Sequence, residues 1–257
     1  MSDPVTVGPV AIGLDLAWGD RARTGVAVVG AGGHLLHLGT VSDDSSVTDA
    51  VAGWLEGPCT VAIDAPLVVT NATGRRPCEA ALAADFARFD AGPHPSNLSR
   101  PYFVPEPRGG RLARAWGLDL DPGADASRRA IEVYPHAATI ALFGLGRILR
   151  YKHKQGRDLP LLRSELTRLL DLLEGLADDD VPLVLDHPGW RRVRETVRTA
   201  TTKAALRRVE DEVDAVVCAY VAHLEQHAPD RLTRYGDAAT GVIVTPTLPE
   251  GLVPSPR

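Results

Sequence analysis

Ala11-Ile12-Gly13-Leu14-Asp15-Leu16-Ala17 is the stretch that decides the architecture. Aliphatic residues run on here without polar alternation, the pattern of a strand buried on both faces. A carboxylate inside such a strand is costly unless a metal ion or a positive partner neutralises it. Thr60-Val61-Ala62-Ile63-Asp64-Ala65-Pro66 breaks the same rule in the same way, and the helical stretch Asp211-Glu212-Val213-Asp214-Ala215-Val216-Val217-Cys218-Ala219 supplies further acids. Acids carried by three apolar runs point to a shared divalent-metal site rather than to separate accidents.

Working outward, residues 10–17, 24–30 and 34–41 read as three strands joined by tight turns at Gly19-Asp20 and Ala31-Gly32-Gly33. A helix from Val47 to Glu56 follows, capped by the Asp43–Ser46 cluster. Strand four, 60–65, ends at Pro66, which cannot continue a central ladder. Further helices are expected from Pro77 to Asp90, His136 to Leu145, Leu159 to Leu176, over 190–199, and from Lys203 to Gln226. Ala130-Ile131-Glu132-Val133-Tyr134 reads as strand five, and Gly241-Val242-Ile243-Val244 as a late strand candidate. The order predicts an α/β fold on a mixed five-stranded sheet, with antiparallel meander strands on one side and parallel strands on the other. One domain over 1–257 is expected, interrupted by an irregular insertion at 92–127. There Pro93, Pro95, Pro101, Pro105 and Pro107 precede Gly109-Gly110. The insertion is expected to form a mobile flap beside the cleft, and the Pro-rich tail 247–257 to fray.

Hydrophobic content of 44% and charged content of 24% place the chain among globular proteins. A net charge of −5 argues against a surface coated in basic residues for non-specific nucleic-acid binding, although it leaves room for a local basic groove. Cys59, Cys78 and Cys218 are odd in number and lack metal-ligand spacing, which fits reduced cytosolic thiols. Asp3 and Pro4 do not open a signal peptide, and no apolar run reaches about 18 residues. The expectation is a cytoplasmic protein with no membrane partner. No GxxxxGK[ST], GxGxxG after a strand, HExxH or GxSxG is present, which removes the commonest nucleotide-binding, zinc-protease and serine-hydrolase readings.

Acids on strand one, at the end of strand four and on the last helix together resemble the RNase H-like fold. The residues that carry the resemblance are Gly13-Leu14-Asp15-Leu16-Ala17-Trp18, Ile63-Asp64-Ala65-Pro66, Arg76-Pro77-Cys78-Glu79, Glu132-Val133-Tyr134-Pro135, Tyr151-Lys152 and Asp211-x-x-Asp214-Ala215. Tyr235-Gly236-Asp237 and Gly241-Val242-Ile243-Val244-Thr245-Pro246 add to the set. As a set they are similar to an uncharacterised family of predicted nucleases with that fold. The Asp-x-x-Asp-Ala element is also similar to the last helix of Holliday-junction resolvases, which share it.

Each candidate has a functional and a structural reading. Asp15 is a metal ligand, the partner of a buried Arg or the cap of a nearby turn. Asp64 sits where open α/β sheets place their ligands, or it caps the turn at Pro66. Asp211 and Asp214 share a helix face, with Asp214 nearer the core edge and Asp211 open to a solvated role. Glu132 alternates away from Ile131 and Val133, so it reaches the site or faces water. Glu79 opens a helix, where an acid favours the macrodipole. His136 follows Pro135 and is a proton shuttle or a structural histidine. Two basic stretches, Arg147 to Arg157 and Arg191 to Arg208, are phosphate contacts or solvated helix faces.

The chemistry these readings favour is a Mg²⁺- or Mn²⁺-dependent phosphodiester hydrolase acting on nucleic acid or another phosphodiester. Hard cations prefer oxygen ligands, and this set offers only oxygen. Asp15 would bridge two ions about 3.5–4 Å apart, Asp64 and Asp214 would hold one each, and Asp211 or Glu132 would complete the shell. Lys152 would neutralise phosphate oxygens. The alternatives are an actin-like-superfamily phosphotransferase, which also opens on a Gly-x-Asp strand, and a non-catalytic binding or regulatory protein that retains the fold.

Overall fold

A computed structural model describes residues 8–19 and 22–256; the turn residue Asp20 and the N-terminal Asp3 and Pro4 lie outside them. β1 (Val10–Asp15) pairs antiparallel with β2 (Thr24–Val29), which pairs antiparallel with β3 (Leu35–Val41). On its other side β1 runs parallel to β4 (Cys59–Ile63), and β4 runs parallel to β5 (Arg128–Glu132). The sheet does not stop at five strands. β6 (Leu232–Asp237) and β7 (Gly241–Pro246) form an antiparallel hairpin, and β7 joins β5 in parallel at Glu132 and Ile243. The seven-stranded order is β3-β2-β1-β4-β5-β7-β6. The hairpin closes because Asp237 accepts from the backbone N–H groups of Ala239 and Thr240, while Gly241 takes a φ of 108° that glycine adopts without strain.

Side chains alternate between two apolar layers, as the pleat requires. Val10, Ile12, Leu14, Val61, Ile63 and Ala130 pack with α1 (Asp44–Val51) and α3 (Arg108–Ala115) on one face. Ala11, Ala27, Ala62, Ile131 and Val133 pack on the other, against α2 (Pro77–Phe86), α4 (Pro135–Phe143), α5 (Leu159–Glu174), α6 (Pro188–Thr199) and α7 (Lys203–His227). The local signals act as expected: Asp43 caps α1 through the Ser46 N–H, and Leu162, Leu166, Leu169, Leu170 and Leu173 bury one stripe of α5. All three cysteines are buried and free. No helix among the described residues is long and apolar enough to cross a membrane.

Two expectations about irregular segments are corrected. Residues 92–127 are not simply a flap, because α3 and the turn after it bury Leu112, Ala113, Trp116 and Leu118 in the same layer as β1 and β4. The helix begins past Pro107, and its apolar residues are too few to have stood out among the flanking prolines and arginines. Nor is the tail loose: Ser255 donates its N–H to Gly146 O, and Arg147 donates to Ser255 O at 2.8 Å. Leu248 and Leu252 pack on the core.

α7 lies across β1, β2 and β4 at unusually close range. A Cβ on Gly13 would stand 2.0 Å from Ala215 O and 2.2 Å from Ala219 N, and one on Gly25 would stand 1.8 Å from Asp211 O. The open backbone at Gly13 is therefore filled by helix backbone. Small residues on both elements let the acid-bearing turn of α7 settle onto the sheet.

Candidate metal centre

Asp15 ends β1, in step with Gly13 and Ala11, so alternation directs it to the α7 face. Asp64 follows Ile63 one residue past β4, in step with Ala62, and its N–H is held by Leu14 O at 2.8 Å. Asp214 descends from α7 fully buried, one residue before the Ala215 that Gly13 admits. One carboxylate oxygen from each of Asp15, Asp64 and Asp214 lies within 4.8 Å of the others. The three can together hold a metal ion, and their donor chemistry is oxygen only.

One loop supplies the groups that meet these carboxylates. Tyr151 donates its hydroxyl to Asp214 Oδ1 at 2.5 Å, and Lys152 forms an ion pair with Asp214 Oδ2. Burial lifts the Asp15 carboxyl well above its ordinary value; Lys152 pulls it down, while Asp214, Asp64 and Asp211 push it further up. Burial likewise raises Asp64 to about 7, with Lys152 opposing and Asp214 and Glu132 adding to the rise. Burial alone would lower the Lys152 ammonium, but Asp214, Asp15, Tyr151 and Asp64 hold it well above its usual range. Three acids facing one cation are short of positive charge, a shortage that a divalent ion is suited to fill.

Two of the expected metal ligands are placed elsewhere. Glu132 is 4% exposed and lines the same cavity as Asp15 and Asp64, outside the three-acid group. Its oxygens accept from Arg76 Nη1 at 2.9 Å and Nη2 at 2.5 Å, and from the Leu67 N–H at 3.1 Å. Both oxygens are thus engaged in an ion pair with Arg76 and a backbone hydrogen bond. Arg76 also reaches Glu79 at 2.9 Å, and Glu79 accepts from the N–H groups of Arg76 and Ser96. Glu79 is thus a buried cap and loop anchor, a fuller structural role than a macrodipole acid. Asp211 stands outside the triad and pairs with Arg23 at 3.5 Å. Lys152 is beside the acids rather than on a separate basic face.

The second basic stretch is largely committed to neighbours. Arg192 pairs with Glu212, Arg194 with Asp171 and Glu174, and Arg198 with Glu195. The first stretch is closer to the acids: Lys152 and Lys154 line a cavity of about 340 Å³ together with Asp15, Asp64, Trp18 and His136. Sequence reasoning gave Arg76 no role and did not pair Tyr151 with Asp214. Ion pairs and hydrogen bonds that span 56 and 63 residues leave no periodic trace.

A family model described as "Protein of unknown function (DUF429)" matches residues 13–240. The chain belongs to that family. The matched span opens at Gly13 and contains Asp15, Asp64 and Asp214, together with Tyr151 and Lys152. No curated protein matches the chain.

Proposed function

We propose that this DUF429 protein is a divalent-metal-dependent phosphodiester hydrolase, most simply a nuclease of RNase H-like type. The observation that carries the reading is the convergence of Asp15, Asp64 and Asp214 within 4.8 Å at the ends of two parallel strands and under a close-packed helix. A mixed sheet with antiparallel strands β3-β2-β1 continuing into parallel β4 and β5 is compatible with that fold.

Asp15, Asp64 and Asp214 would hold Mg²⁺ or Mn²⁺. When bound, such ions neutralise phosphoryl oxygens and lower the pKa of water enough to make it a nucleophile near neutral pH. Asp15 and Asp64 are carried by strand ends, which fixes their spacing better than a loop would. Tyr151 orients Asp214 through its hydroxyl. Lys152 shields the acids from one another, and with a cation held by them its ammonium would be free to meet a phosphate oxygen in the same cavity.

The test is turnover of bis(p-nitrophenyl) phosphate and of short DNA and RNA strands with Mg²⁺ or Mn²⁺, with and without chelator, on wild type and Asp15→Asn. Metal-dependent turnover lost in Asp15→Asn supports the reading. Metal binding without turnover of any substrate would leave a binding protein in its place.

A further inference from the structure

The wall of the cavity beside the triad carries a second set of polar groups that the metal centre does not use. His136 is the second residue of α4, directly after Pro135, and is 8% exposed. Its Nδ1 is sealed from solvent with no hydrogen-bond partner. Its side chain lines the cavity, packed edge-on to Tyr134 and tilted on Tyr151 at 5.7 and 5.8 Å between ring centres. Protonated on Nε2, the ring would present a donor to the cavity that it lines.

Around that donor the chain gathers positive charge. Lys152, Lys154 and His94 line the cavity with His136, and burial followed by Lys152, Lys154, Arg157 and His94 disfavours a proton charge on its ring. Lys154 is exposed, lines the same cavity and has no ion-pair partner among the described residues. α4 contributes its first turn: Ala138 donates to Tyr134 O, while the His136 and Ala137 N–H groups have no carbonyl within the helix to receive them. The start of α4 at His136, an imidazole that lines the cavity and an unpaired lysine on the same wall are the chemistry of an anion site.

We infer that the N-terminus of α4, with His136 and Lys154, is a subsite for the phosphate next to the scissile one. The cavity then takes a substrate with two successive phosphates, one at the triad and one at α4. Its volume of about 340 Å³ fits a strand end or a short oligonucleotide better than a duplex. Naming the second phosphate's neighbour as scissile rests on the hydrolase reading above; the anion site itself does not.

Two arms test this on the full chain. In metal-free protein, inorganic phosphate is titrated while the histidine ring signals are followed by NMR, with His136→Asn identifying the His136 resonances and its melting temperature confirming the fold. The His136 signals should shift saturably, and Lys154→Ala should weaken the phosphate affinity several-fold. His136 signals that stay still up to tens of millimolar phosphate overturn the site. With Mg²⁺ or Mn²⁺ present, a dinucleotide bearing a terminal phosphate should have a KM about tenfold or more below that of the same dinucleotide without it. That ratio should collapse in His136→Asn and in Lys154→Ala, and an equal KM for both dinucleotides overturns the substrate assignment. A phosphate-induced His136 shift in a protein that hydrolyses nothing would sink the hydrolase reading and leave the anion site standing.

Discussion

The Cα of Gly13 faces the Ala215 carbonyl so closely that a Cβ on Gly13 would stand 2.0 Å from that oxygen. Asp15 lies two residues beyond Gly13 on β1, and Asp214 precedes Ala215 on α7. The spacing of the two acids therefore depends on a side chain that is absent. Gly13→Ala should push α7 off the sheet, with a loss of about 1–3 kcal/mol or more because the clash is with backbone. The melting temperature should fall by about 2–12 °C. Calorimetric divalent-ion affinity should fall with it, and an unchanged affinity would show that the triad does not need this contact.

Arg76 supports two buried carboxylates, Glu79 and Glu132, at 2.9 and 2.5 Å. Arg76→Met removes the cation and leaves both buried acids with backbone N–H partners alone. Breaking such a buried pair typically costs about 3–5 kcal/mol. Guanidinium unfolding curves at pH 7 should show a loss of that order. Part of it should return at low pH, where the orphaned acids protonate.

The metal-free protein should become less stable as pH rises through about 7, above the range in which its buried histidines titrate in the unfolded chain. Asp64 has a folded pKa of about 7 against an ordinary value of 3.8, because burial penalises its charge. The folded state then binds more protons than the unfolded state between those values. Its stabilising contribution is full below about 3.8 and is lost as pH rises through about 7. Asp15 is raised for the same first reason and acts in the same direction. Mg²⁺ or Mn²⁺ at a hundred times its Kd should add about 2.7 kcal/mol and flatten the decline near neutrality. Melting temperatures across pH 4–8 with and without metal check this, and a metal-free curve that rises through pH 7 would contradict it.

Asp15→Asn should behave unlike an ordinary core lesion. Removing one of several mutually repelling carboxylates relieves strain in the metal-free state. The variant should melt at or above the wild-type temperature without metal and lose the stabilisation that metal confers. Unfolding of the variant would instead mark Asp15 as a structural partner of Lys152.

Tyr151→Phe keeps the buried ring and deletes the donor to Asp214 Oδ1. A hydrogen bond to a charged group contributes about 1.5–3 kcal/mol, so stability should fall within that range. Metal affinity should also drop, by about tenfold or more, because Asp214 loses its orienting partner. Denaturation and calorimetry on the same preparation separate the two effects.

Much of the frame was legible in the chain. Unbroken apolar runs marked β1 and β4, turn residues separated β1 to β3, and the heptad-like leucines marked α5, because these signals are local and depend only on neighbours a few residues apart. The same locality exposed Asp15 and Asp64, since an acid inside an apolar run is anomalous wherever the strand later sits. β6 was harder: its Leu232 and Tyr235 are three apart, and it is an edge strand without the period-two pattern.

Which acids share a site was a tertiary decision. Asp211, Asp214 and Glu132 all had the right chemistry, and only packing separated them. The glycine-to-alanine contact of β1 with α7 lowered Asp214 onto Asp15 and Asp64, whereas Arg76, 56 residues from Glu132 in sequence, drew Glu132 into a different pair. The amino-acid sequence by itself determined that costly carboxylates would lie in apolar surroundings and so need positive partners. The three-dimensional arrangement alone decided which partners those are, because electrostatic pairing depends on distance through space and carries no signature along the chain.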